Sequence, residues 1–387
     1  MLVLSVLLLI FLSVADIYFY RLGWLPAEPS VTLLPLFFVG SFILLFRGLN
    51  VLKQYRGANP FLFFFLISLI YLKNDVLESG IYVIGNNGII YLLYFTSGLF
   101  FLKIDSKRVY WIFLFSFFVL GGSMLYDMIY SSSMGIRGSG FAENPNNAAL
   151  RIVFLLIAIL RFIESKRIAF IFCFVAFLFV FLTLSRSGVL VILAIVLILL
   201  PAKFSDVYKI SEVPLKIFKS MPVLFILLVV LANTLTILPE YFPAFEHRAA
   251  VDRIQQISGK GSIVNESDLD GGRINIFSDY LDLFLENVLG YGTGFSMNRD
   301  FFEKATHNMF LRFGIDYGVV GVLALLAFFY RFLRISIRTN HFYMFSLMLA
   351  AFMACFFTHT LFENRTFILV LSFLSVDVVR SNIAYKS

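Results

Sequence analysis

A guanidinium presents a planar fork of donors that matches phosphate oxygens, and an imidazole exchanges protons near neutral pH. Arginines and histidines standing beside apolar sequence are therefore the places in this chain where chemistry has to be explained. Arg186 lies in a short turn, Leu182-Thr-Leu-Ser185-Arg186-Ser187-Gly188, between two hydrophobic runs. It reads either as a headgroup anchor at a membrane interface or as a clamp on phosphate. Arg273 follows Gly271-Gly272 at the start of an expected helix. Glycines let the backbone come close to a partner and a helix start attracts anions, although the same tripeptide also serves in a plain loop. His307 stands at the head of a long apolar run, as an interfacial polar residue or as a general base, with Asn308 beside it to cap or orient. Arg312 and Asp316, four apart, read as an ion pair that tolerates burial, with substrate contact as the alternative. In Gly140-Phe-Ala-Glu-Asn144-Pro-Asn146-Asn147 the asparagines read first as a helix-initiating turn and second as amides for sugar hydroxyls, with Arg137 and Arg151 adding positive charge on either side. Together these residues suit a lipid-linked phosphate or pyrophosphate as leaving group and a hydroxyl as nucleophile.

The elements that must position them are membrane helices. Of 387 residues, 60% are apolar and only 14% charged, and the mean hydropathy is +0.89. At roughly 20 apolar residues per span, the chain holds about twelve. They are expected near 2–20, 31–46, 59–73, 86–103, 109–130, 147–163, 168–183, 187–202, 218–238, 307–330, 342–359 and 363–380. Lysines and arginines collect in alternate connections, for example Lys103, Lys107 and Arg108, or Arg331, Arg334 and Arg338. The positive-inside rule then puts both termini in the cytoplasm. The connections 131–146, Ser185-Arg186-Ser187, 239–306 and His359–Arg365 face outward, away from ATP and nucleotide sugars. The expected organisation is 1–136 as the first five spans, 137–238 as four more, 239–306 as a large outward loop and 307–387 as the last three.

That loop carries two helical patterns, Phe242–Ile257 and Ile274–Leu289, separated by a polar linker, Ser258–Ser267, with Asp268 and Asp270 as cap and turn residues. The net charge of +7 is accounted for by topology and does not imply nucleic acid. Cys173 and Cys355 fall in apolar runs and read as small buried hydrophobes, outside any disulfide or metal site. Leu2–Leu12 lacks a basic lead and a cleavage site, so it reads as a retained first span. No catalytic-triad spacing, nucleotide loop or zinc signature is present. A transporter would show two related halves and polar groups near mid-membrane; there is no internal repeat, and the one large loop sits late in the chain.

The run Phe141-Ala-Glu-Asn-Pro-Asn146, the Leu184-Ser-Arg-Ser-Gly188 turn, a large loop with Arg273 and Leu289-Gly-Tyr-Gly-Thr-Gly294, and the segment from His307 to Gly321 resemble the O-antigen ligase/polymerase superfamily over about 137–330. The resemblance implies an all-helical, GT-C-like membrane glycosyltransferase that needs neither metal nor cofactor. Its donor would be an undecaprenyl-pyrophosphate-linked glycan on the periplasmic side of the bacterial inner membrane. By motif position, Arg186 and Arg273 would hold the pyrophosphate and His307 would activate the acceptor hydroxyl. Asn144, Asn146, Arg137, Arg151, Asn308 and Asp316 would contact substrate, although the superfamily tends to have Glu at the position of Asp316. Implied partners are a chain-length regulator and a flippase of the same pathway. A polymerase is the favoured reaction, a ligase to lipid A–core the alternative, and a lipid-linked oligosaccharide flippase the reading from another class.

Overall fold

The computed structural model describes residues 1–46, 60–130, 138–142, 144–204, 210, 273–298 and 306–384. Arg137, the expected span 218–238, the Phe242–Ile257 helix, the Ser258–Ser267 linker, Asp268 and Asp270 lie outside the described residues. The described regular structure is helical throughout. In chain order the helices are α1 (Leu2–Ser13), α2 (Ala15–Arg21), α3 (Pro29–Phe46), α4 (Pro60–Ile70), α5 (Leu77–Lys103), α6 (Ser106–Tyr130) and α7 (Pro145–Leu160). They continue with α8 (Lys166–Leu182), α9 (Arg186–Phe204), α10 (Arg273–Glu286), α11 (Met309–Arg338), α12 (Phe342–Cys355) and α13 (Arg365–Ala384).

The bundle is built around α7. Asn144 caps it, its Oδ1 accepting from the backbone N–H of Asn146 at 2.9 Å, and Pro145 fills the first turn. Proline is tolerated there because that N–H has no partner within the helix. Every residue from Ala148 to Leu160 is buried, as a helix apolar all round requires. The helices α6, α8, α9, α12 and α13 pack against it. The starts of α7 and α13 lie at one end, where Arg151 Nη1 donates to Thr366 Oγ1 at 3.2 Å. Near their other ends Arg161 Nε meets Asp377 Oδ2 at 2.6 Å. These are called the His307 end and the His341 end.

Among the described residues, Asn74–Lys103, Ser106–Ile129 and Met309–Arg338 are long and apolar enough to cross a membrane, and α1 with α2 makes a fourth if counted as one bent span. Others, such as α4, α7 and α12, are apolar but shorter than 18 residues. The protein is thus a helical membrane protein. The expected first span, 2–20, is two helices, bent by 81° at Val14, whose φ of 62° is left-handed. The break turns Asp16 into the interior, where it pairs with Arg365. The span expected from residue 86 begins earlier, at Leu77 after a 3₁₀ turn at Asn74–Val76. Tyr82 is therefore on the helix, not before it, and Asn86 and Asn87 lie well inside it instead of at its start.

Candidate functional site

The His307 end takes its shape from the entry to α11. Asn308 Oδ1 caps the helix, accepting from Phe310 N at 2.9 Å and Leu311 N at 3.1 Å, while Thr306 Oγ1 accepts from Asn308 N at 3.2 Å. His307 immediately precedes the cap and is exposed. Its ring centroid lies 6.1 Å from that of His359, which belongs to the 356–364 connection between α12 and α13. Burial first, and then the Arg312 guanidinium, push the His359 imidazole down to about 4. It is neutral at physiological pH.

Arg312, buried on the second turn of α11, ties that connection down. Its Nη1 donates to the His359 carbonyl at 2.9 Å and to Glu363 Oε1 at 2.7 Å, and its Nη2 approaches Met297 Sδ at 3.3 Å. The ion pair expected between Arg312 and Asp316 is thus made across the bundle with Glu363. Asp316 is engaged elsewhere, its Oδ1 accepting from the backbone N–H of Ser296 at 2.8 Å.

The glycine-rich segment 290–294 is a splint. Inside α11, Gly318 has φ 65° and ψ −155°, which breaks the helix. The freed carbonyls of Ile315 and Asp316 accept from Tyr291 N at 2.8 Å and Gly292 N at 3.1 Å, and Val319 N donates to the Val288 carbonyl at 2.9 Å. A Cβ on Gly290 would lie 2.5 Å from Gly318 N, so the two backbones approach as only glycine permits. Thr293 fastens the same segment to α4, its N donating to the Tyr71 carbonyl at 2.9 Å and its Oγ1 to the Ser68 carbonyl at 2.7 Å. On the other side Tyr280 of α10 is buried against Leu311 and Ile315, and burial raises its phenol to about 12. Arg273, the first residue of α10, is seven residues from Tyr280, or about 10 Å along the helix axis.

The second group centres on the turn before α9. Ser185 Oγ donates to Asn146 Oδ1 at 2.8 Å and accepts from Gly188 N at 3.1 Å. A Cβ on Gly188 would come 2.5 Å from Ala149 Cβ, so α7 and α9 meet closely there. Arg186 starts α9 and is exposed. Asn144 is taken up by capping, Asn146 by Ser185, and Arg151 by Thr366. The two groups converge on the start of α13, because Glu363 holds Arg312 while Thr366, three residues on, holds Arg151.

A cavity of about 870 Å³ opens between α2, α3, α5 and the start of α13, with Arg21, Glu28, Tyr82, Asn86, Glu363 and Arg365 among its lining residues. Reasoning from sequence missed Asn86, His359, Glu363 and the pairing of Arg365 with Asp16. The signal was there in His359-Thr-Leu-Phe-Glu363-Asn364-Arg365, a polar run between two apolar helices, and in Asp16 inside an apolar one.

Comparison with known proteins adds one finding. The family described as O-Antigen ligase matches residues 169–326. The match starts in α8 and ends in α11, and so takes in Arg186, Arg273, the 290–294 splint, His307, Asn308, Arg312 and Asp316. Asn144, Asn146, Arg151 and the cavity walls lie outside it. No curated protein matches the chain. Residues 169–326 are thus similar to the O-antigen ligase family, which supports the resemblance read from the sequence.

Proposed function

We propose that the protein is a polysaccharide polymerase that moves a glycan from undecaprenyl pyrophosphate to the end of another lipid-linked repeat unit. The acceptor hydroxyl oxygen attacks the anomeric carbon, the bond from that carbon to the pyrophosphate oxygen breaks, and the hydroxyl proton passes to His307. Undecaprenyl pyrophosphate departs with the electron pair. Arg186 and Arg273 neutralise it as it leaves, the step where fixed positive charge lowers the barrier most. The donor is already activated, so no nucleotide is needed and the reaction runs on the periplasmic face, with both termini cytoplasmic as the lysine and arginine distribution indicates. The observation that carries this reading is the exposed His307 at the capped entry to α11, inside the matched segment and with its ring 6.1 Å from that of His359.

The second reading is a ligase that delivers the same glycan to lipid A–core, and the similarity of residues 169–326 to the O-antigen ligase family favours it. Both reactions share donor and proton transfer and differ in acceptor. A lipid-linked repeat unit presents a small saccharide at the membrane surface, which suits a cavity of about 870 Å³ between helices. The surface-glycan profile of a strain lacking the protein tests the choice. Core capped by a single repeat unit means a polymerase. Uncapped core with long lipid-linked polymer means a ligase, and loss of all outward-facing lipid-linked units means a flippase and sinks the transferase reading.

A further inference from the structure

The 870 Å³ cavity has no part in the matched segment, since its walls come from α2, α3, α5 and the start of α13. It exists because the chain breaks at Val14 and α2 turns by 81° over the bundle end, fixed there by Asp16 on Arg365. Its charges decide what it suits. Arg21 and Glu28 line it together, Arg365 is neutralised by Asp16, and Glu363 by Arg312. A wall with no net charge is a poor seat for pyrophosphate. Tyr20 and Tyr82, 40% and 57% exposed, offer ring faces, and Asn86 offers both a donor and an acceptor. Aromatic faces with a two-way amide suit a ligand rich in hydroxyls, and ligand pockets run to about 300–1,000 Å³.

The cavity also points somewhere. Asn86, Ile90, Phe362 and Glu363 line a second, narrow cleft that reaches Arg312, Asp316 and His359. His359 Nδ1 is buried there with no hydrogen-bond partner, and its ring is 6.1 Å from His307. From this geometry we infer that the cavity binds the terminal, uncharged sugars of the acceptor glycan, and that the cleft leads one of its hydroxyls toward His307. What happens to that hydroxyl rests on the transferase reading; the binding itself does not.

The test uses the full-length protein in lipid nanodiscs and two probes: the oligosaccharide freed by mild acid from the cell's own lipid-linked repeat units, and undecaprenyl phosphate. The oligosaccharide is expected to bind the wild type and His307→Ala equally, and Tyr82→Ala and Asn86→Ala about tenfold more weakly, as loss of one such contact predicts. Tyr82 is exposed, so its variant folds even where Asn86→Ala does not. No binding to the wild type, equal binding to all variants, or displacement of the sugar by undecaprenyl phosphate overturns the inference. If binding behaves as expected but cells lacking the protein still polymerise, the transferase reading fails and the saccharide site stands. If His307→Ala abolishes polymer while the cavity variants bind normally, the reverse holds.

Discussion

The two ends of the bundle use histidine in opposite ways. At the His341 end the imidazole is consumed by structure. His341 Nδ1 accepts from Met344 N at 3.1 Å and so caps α12, and Nε2 meets Asp377 Oδ2 at 2.8 Å. With Nδ1 an acceptor, the ring is the neutral tautomer that donates to the carboxylate. Asp377 also takes both Arg161 Nε at 2.6 Å and Nη2 at 3.2 Å, so α7, α12 and α13 are locked by one network. At the His307 end the capping of α11 is done by Asn308, which leaves the adjacent histidine outside the cap and exposed. A histidine that holds a helix cannot also trade protons; one placed next to its own substitute can.

Breaking each end separates the two roles. His307→Ala is expected to lower the rate of glycan transfer by about 10²–10⁴-fold, the usual worth of a general base, with no loss of protein from the membrane; polymer formation per unit protein reads this. Asp377→Ala removes the acceptor of both the Arg161 guanidinium and the His341 Nε2–H, and is expected to cost about 3 kcal/mol of stability. Its signature is a fall in thermal midpoint and in membrane level, with transfer per folded molecule retained.

A milder contrast comes from pH. The folded value of about 4 for His359 lies below its ordinary 6.5. Between those values the unfolded chain takes up a proton that the folded chain refuses. Stability that is complete above pH 6.5 is therefore lost as pH falls toward 4, by up to about 3 kcal/mol. His359→Gln should flatten that loss, which thermal midpoints of wild type and variant at pH 7.5 and 4.5 would show. The smallest effect is expected from Asn144→Ala, which removes a cap worth about 1 kcal/mol. A drop of that size in stability, with transfer unchanged, marks Asn144 as structural. A loss of transfer without a loss of stability restores it to the substrate.

What was legible in the sequence was local. Asn144-Pro145 announced the start of α7, Asn308 the cap of α11, and apolar runs located most helices within several residues. The misses are all long-range or hidden in uniform composition. Val14 breaks an apolar run without glycine or proline to announce it. Arg312 had an apparent partner four residues away, yet its carboxylate sits 51 residues on in the chain, and no spacing rule sees that. The 290–294 glycines marked a turn, but their reason lies in Gly318, inside what read as one unbroken span. Arg273 is in place only as the first residue of α10, and its part in the reaction is carried by the proposal above.

The most direct test of the central claim is polymer formation in vitro by purified wild-type and His307→Ala protein, given lipid-linked repeat units alone. The account predicts that the wild type makes polymer and releases undecaprenyl pyrophosphate, while the variant, equally folded, does neither. Polymer from the His307→Ala protein at the wild-type rate would contradict it.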